Sequence, residues 1–250
     1  MPIAKLARLA LVAAPLALAL SACDNKEAAT GAVPSTEPIA KIAAPAGANW
    51  SEKFAVTPEG GYLMGNPEAP IKLVEFGALS CSHCAEFSEK SFAKLRDDYV
   101  ASGRVSYELR FFALNALDVP AVLLATCGTP EATIPLSEQF WAWQATMFQT
   151  LSANEAMFQS AQTQPPQQRF ATIAKAAGMD QFFAQRGISA DQGVACLADT
   201  AKAEKVVKQT DAAMKEHEIT GTPSFLLNGT KVEANTWEMI EPLLQNAGAR

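Results

Sequence analysis

The stretch that decides the fold is IKLVEFGALSCSHCAEF, residues 71–87. Its opening, Ile71-Lys72-Leu73-Val74-Glu75-Phe76, is a mostly apolar run of the kind that fills a central strand. That strand ends near Gly77. Cys81-Ser82-His83-Cys84 follows at the start of a helix, whose buried face is marked by Phe87, Phe92, Leu95 and Tyr99 until Gly103 breaks the pattern. Residues 105–112, VSYELRFF, alternate as a second strand. Strand, helix and strand in this order predict a right-handed βαβ unit with parallel strands.

A Cys-x-x-Cys pair placed between a strand and a helix is where such a pair becomes redox active. The free amides and the dipole of a helix N-terminus favour an anion, so the Cys81 thiolate is stabilised and its pKa falls below the free value of about 8.5. A protonated or hydrogen-bonding His83 would add to this. The first sulfur sits at the open end of the helix and the second one turn in. Cys81 is therefore the sulfur that attacks and is attacked, and Cys84 the one that resolves. Half of a zinc site is the competing reading of the motif. The chain has only two histidines and no second Cys-x-x-Cys, so no metal is expected. A purely structural bridge across so short a loop would remove little entropy.

Upstream, Phe54-Ala55-Val56 and Tyr62-Leu63-Met64 flank Gly60-Gly61 as a hairpin. Residues 115–217 show no convincing strand; they are rich in Ala, Gln, Leu and Met, with breaks at 128–130, Pro165-Pro166 and Gly187, and read as several helices. Within them Phe140, Trp141, Trp143, Met147 and Phe148 read as helix–helix core, and His217 reads as solvated. Sheet pattern resumes at Ser224-Phe225-Leu226-Leu227, turns at Asn228-Gly229 and continues through Lys231-Val232-Glu233. Thr236 is a suitable N-cap for a final helix carrying Trp237, Ile240, Leu243 and Leu244, in which Pro242 should kink the axis or shorten the first turn.

Before the late hairpin stand Gly221-Thr222-Pro223. A proline entering a strand can be simple punctuation. Taken with the element order, and with Gly65-Asn66-Pro67-Glu68-Ala69-Pro70, Val74-Glu75-Phe76, Cys81-Ser82-His83-Cys84-Ala85-Glu86-Phe87, Gly221-Thr222-Pro223-Ser224-Phe225 and Asn228-Gly229, residues 50–250 resemble the DsbA-type disulfide oxidoreductases of the thioredoxin superfamily. The resemblance implies an α/β thioredoxin-like fold with an N-terminal hairpin extension and a large all-helical insertion. It divides the domain into a first part over 50–114, the insertion over 115–217 and a second part over 218–250. It also implies that the Thr222–Pro223 bond is cis and faces the cysteine pair, leaving Thr222 and Pro223 open to a client peptide. Glu75 matches the family's buried acid near the resolving cysteine, a proton relay during exchange; read alone, it could be a strand-end carboxylate facing water. Cys127 and Cys196 could be two buried thiols or a structural disulfide, and similar cysteines occur in the insertion of some members.

The N-terminus has the layout of an export signal over 1–22: Lys5 and Arg8, an apolar run from Leu9 to Leu20, then small residues. That run is too short for a transmembrane helix, which needs roughly 20 residues. Leu20-Ser21-Ala22-Cys23 resembles a bacterial lipobox, which would make Cys23 a lipidated first residue; the alternative is an ordinary cut near Ser21 or Ala22. Five cysteines leave one over after two pairs, and lipidation of Cys23 would consume it. Residues 23–49 are poor in large apolar side chains and read as a disordered tether reaching a few nanometres. The formal charge of −6 argues against nucleic acid.

These readings converge on a lipid-anchored thiol-disulfide oxidoreductase of the periplasm or cell envelope, without cofactor. Its clients would be reduced or unfolded exported proteins, and by resemblance its reoxidant a membrane quinone-linked enzyme like DsbB. Ser82 stands where the family's best-known member has proline, and Thr222 occurs in the family's isomerases as well as its oxidases. The direction of exchange therefore stays open between an oxidase and a reductase with narrower clients. A non-catalytic peptide-binding lipoprotein is the alternative of another class.

Overall fold

The structure, a computed structural model, describes residues 36–250. Export signal and Cys23 lie outside the described residues. Six strands form one sheet: β1 (Phe54–Val56), β2 (Tyr62–Gly65), β3 (Ile71–Gly77), β4 (Val105–Phe111), β5 (Ser224–Leu227) and β6 (Thr230–Val232), in the order β1-β2-β4-β3-β5-β6. β3 and β4 are parallel and central, with Ile71 opposite Val105 and Gly77 opposite Phe111. Their crossover is α1 (Ser82–Lys94), which continues into a π-helical turn over Leu95–Val100. All other neighbours in the sheet are antiparallel.

Alternation along β3 sorts the core. Leu73 and Glu75 face α1, whereas Val74 and Phe76 join Phe112, Ala213, Ile219 and Leu226 in a smaller apolar cluster on the opposite face. Between β4 and β5 the chain is helical: α2 (Asp118–Ala125), α3 (Pro130–Ala153), α4 (Glu155–Ser160), α5 (Pro166–Ala176), α6 (Met179–Ala184), α7 (Ala190–Leu197) and α8 (Thr200–His217). Pro165-Pro166 is a helix start, with Pro166 the first residue of α5. α9 (Trp237–Asn246) closes the fold against α1 and the turn after it, with Phe87 edge-on to Trp237 at 6.3 Å between ring centres and Tyr99 edge-on to Trp237 at 5.8 Å. Pro242 sits inside α9 without ending it.

Asn228 and Gly229 both take positive φ, 51° and 81°, as a two-residue hairpin with right-handed strand twist requires. His217 departs from expectation: it is half-buried, its ring 5.6 Å from that of Phe76.

The tether expected over 23–49 needs correction in its second part. Residues 36–49 lie on the folded body, held by their backbone: Thr36 N–H donates to the Asn246 carbonyl at 2.8 Å, Ile39 N–H to Gly248 at 2.9 Å and Ile42 N–H to Ser102 at 2.9 Å. Trp50 Nε1 donates to the Ile42 carbonyl at 2.9 Å. Gly248 admits the passing strap, because a Cβ there would meet the Glu37 carbonyl oxygen at 2.9 Å. Composition misses such a segment because main-chain hydrogen bonds, which every residue type can make, hold it. No helix among the described residues is long and apolar enough to cross a membrane.

Candidate active site

Cys81 is the N-cap of α1, and Cys84 lies in its first turn. Both are free thiols; Cys84 is fully buried and Cys81 nearly so. The Thr222–Pro223 peptide bond is cis and brings the Thr222 carbonyl oxygen to 3.2 Å from Cys81 Sγ. As a thiol, Cys81 donates to that carbonyl. Once the proton leaves, the donors that matter are others. The Cys84 thiol, the Thr222 side chain and the backbone N–H groups of Cys84 and His83 are the donors that favour a Cys81 thiolate, and together they outweigh its burial and bring the thiol down to about 5. Thr222 Oγ1 is buried without a hydrogen-bond partner, so its proton is free to serve the thiolate.

Cys84 is shifted the opposite way. Burial pushes its thiol well above the usual value, and the Cys81 hydrogen bond and the Glu75 charge add to that. One sulfur is held as an anion and its partner as a proton donor, which divides the roles between attack and resolution. His83 contributes less than its residue type suggests. Its imidazole is exposed, with Nδ1 3.9 Å from Glu86, and its backbone amide is what reaches Cys81.

Glu75 is buried among apolar groups on β3, with Oε2 accepting a 2.7 Å hydrogen bond from the Tyr107 hydroxyl and Oε1 unpartnered. Burial pushes its carboxyl up to about 8 against the Tyr107 hydrogen bond, and the Cys81 charge adds to the rise. Cys127 and Cys196, in the insertion, form a disulfide with Cα atoms 5.8 Å apart. No group of three or more His, Cys, Asp or Glu residues is placed to hold a metal ion among the described residues.

The insertion grips the loop before Cys81 through side chains that local sequence patterns do not single out. Trp141 Nε1 donates to the Ala78 carbonyl at 3.0 Å, and Gln144 Nε2 to the carbonyls of Leu79 at 2.8 Å and Cys81 at 3.1 Å. Asp118, fully buried at the start of α2, accepts from Ser80 N–H at 2.8 Å and Ser80 Oγ at 3.0 Å, and from the amides of Leu114 and Asn115. Burial pushes its carboxyl up and these donors oppose it. Each residue from Ala78 to Cys81 is thus held by a side chain from α2 or α3. Only the aromatic cluster carried a signal, and it was read as core.

Next to Cys81, a groove of about 280 Å³ is lined by His83, Glu86, Phe87, Lys90, Asn235, Thr236 and Trp237. Apolar walls with charged ends suit a peptide side chain.

Residues 57–246 match a family model described as thioredoxin. The chain belongs to the thioredoxin family. A protein-disulfide isomerase from Novosphingobium aromaticivorans is 30% identical, over 73% of this chain and 94% of that one, with a TM-score of 0.70. Wolbachia pipientis alpha-DsbA1 shares the fold at a TM-score of 0.60 and 19% identity, covering 77% of this chain and 92% of that one. Within the thioredoxin family its fold, the helical insertion included, is like that of the Wolbachia protein. A Rickettsia bellii protein, provisionally named a protein-disulfide oxidoreductase, is 21% identical over 76% of this chain; this thioredoxin-family chain spans 65% of its length.

Proposed function

We propose that the chain is a thiol-disulfide oxidoreductase that introduces disulfides into exported proteins by exchange through Cys81. The observation that carries this reading is the Cys81 sulfur at the head of α1, 3.2 Å from Thr222 before a cis proline, with Cys84 buried one turn in. In the oxidised protein a client thiolate attacks Cys81 Sγ. The Cys81–Cys84 bond breaks and Cys84 leaves with the electron pair, taking a proton from Glu75. A second client thiolate then attacks the client sulfur of the mixed disulfide and expels Cys81 as its stable thiolate. The client is oxidised by two electrons, and the enzyme is reduced by the same two. A stabilised Cys81 thiolate favours the reduced enzyme, which supports oxidation as the net direction.

Reoxidation is assigned to a quinone-linked membrane enzyme like DsbB, and location to the envelope with a lipid on Cys23. Cysteine count supports the anchor: Cys127 and Cys196 are bonded and Cys81 and Cys84 form the exchanging pair, which leaves Cys23. The test is oxidation of a reduced, unfolded protein substrate by the purified oxidised chain, with Cys81→Ser inactive. Its reduction potential against glutathione should lie well above the roughly −270 mV of thioredoxin; a value at or below that overturns the oxidase direction. The name of the Novosphingobium relative favours disulfide rearrangement as a second reading. Reduced enzyme that unscrambles a mispaired substrate faster than oxidised enzyme forms new bonds would select it.

A further inference from the structure

Glu75 is 1% exposed, so a proton it gives to Cys84 has to be replaced from water through other groups. Its unpartnered Oε1 points the way. A Cβ built on Gly77 would lie 3.1 Å from that oxygen and 3.2 Å from the Trp141 ring, which places Oε1 where β3 meets α3. Trp141 shares a helix face with Glu138, three residues earlier. The Glu138 carboxylate accepts a hydrogen bond from Ser88 Oγ, and Ser88 lies one turn beyond Cys84 on α1. Cys84, Glu75, Glu138 and Ser88 are therefore gathered at one junction of β3, α1 and α3.

We propose that Glu138 is a second proton carrier of the site, the outer member of a Glu75–Glu138 carboxyl pair that passes the Cys84 proton between the core and solvent. This rests on the reading of Cys81 and Cys84 as an exchanging pair. Glu138 is less buried than Glu75 and lies in the field of Arg96, a half-buried residue of the π-helical turn, so of the two carboxyls it is the one nearer to water. The Tyr107 hydroxyl feels both carboxylates and bonds to one of them. The groups facing Glu138 are Glu75 and Tyr107 from the sheet, Ser88 from α1, and Arg96. Arg186, after α6, turns to Gln139 and Phe182 instead. Burial pushes Glu138 up to about 8, with the Glu75 charge adding to the rise and the Ser88 bond opposing it, so both carboxyls can hold or release a proton near neutrality.

The proton balance is closed. When Cys84 leaves a disulfide, Glu75 protonates it and Glu138 reprotonates Glu75 from water. When Cys84 attacks the mixed disulfide, its proton returns by the same route.

Reduced protein is mixed with oxidised glutathione, and the decay of the glutathione mixed disulfide on Cys81 is followed from pH 5 to 9. Glu138→Gln should slow decay by at least about tenfold at pH 7 and remove its rise through about pH 8, while the Cys81 alkylation profile stays unchanged. Glu138→Asp should restore most of the rate. Wild-type decay and pH profile in Glu138→Gln overturn the proposal. Should that variant fail to fold, Ser88→Ala keeps both carboxyls and removes the hydrogen bond that holds Glu138 down; slower decay at pH 7 supports the relay, and unchanged decay overturns it. Absence of any mixed disulfide in the wild type would instead refute the exchange reading itself.

Discussion

Gln144 Nε2 lies 3.1 Å from the carbonyl oxygen of Cys81, so a helix of the insertion holds the peptide of the first cysteine of the pair. The same nitrogen holds Leu79 O at 2.8 Å. Gln144→Leu would leave the Leu79 carbonyl buried without its donor, at a cost of about 1–3 kcal/mol. The denaturant midpoint should fall accordingly, and oxidation of a reduced client should slow, because the loop that aims Cys81 loses a clamp. An unchanged rate in a folded Gln144→Leu protein would show that the clamp serves stability alone.

Thr222→Val replaces the hydroxyl by a methyl of similar size. The thiolate loses one donor and keeps the Cys84 thiol and two backbone amides, so the alkylation inflection of Cys81 should move up from about 5 yet stay below the free value of about 8.5. Stability of the oxidised protein should hold or improve, since Thr222 Oγ1 is buried without a hydrogen-bond partner to lose. A profile that does not move would remove the hydroxyl from the list of thiolate donors.

The strands, the two hairpins and the placement of the cysteine pair were legible because they depend on local signals: an apolar run, a helix start, an Asn-Gly turn. The parallel pairing of β3 and β4 followed from connection geometry alone. The insertion was legible as helical but not in its purpose. Asp118, Trp141 and Gln144 act on residues 78–81 across long sequence separations, and nothing in their own surroundings marks them. At His83 the side chain faces water, and it is the backbone amide, invisible to a reading by residue type, that stands among the donors to Cys81. The strap over 36–49 was missed because main-chain hydrogen bonds leave no trace in composition.

The pH dependence of stability should differ between the redox forms. Cys81 is the case of a folded pKa held below the unfolded one, so its contribution is absent below about pH 5, grows as pH rises and is complete above the unfolded value near 9. Only the reduced protein has this thiol. Its melting temperature should therefore climb relative to that of the oxidised protein between pH 5 and 9. Parallel curves for the two forms would mean that Cys81 is not a stabilised thiolate.

Glu75→Gln should separate function from stability. A carboxyl whose folded pKa is raised, here to about 8 by burial, imposes a cost that is absent below the unfolded value near 4.5 and grows until about pH 8. The neutral amide removes that cost. Melting should rise by at least about 3 °C at pH 8 and change little at pH 4.5, whereas disulfide exchange at neutral pH should slow. A variant that loses stability at both pH values would show that Glu75 holds the core together as a hydrogen-bond acceptor for Tyr107.

The Cys127–Cys196 bond closes a loop with a sequence separation of 69, within the insertion that clamps the active-site loop. Chain entropy assigns such a bond about 4 kcal/mol. Replacing both cysteines by serine should lower the unfolding free energy by roughly that amount in denaturant titration. Asp118 precedes the closed loop, and Gln144, although inside it, is held by α3 and by its own hydrogen bonds to Leu79 and Cys81, so the folded variant should keep the Cys81 inflection near 5. An inflection displaced toward the free thiol value would show that the distant disulfide also sets the geometry of the clamp.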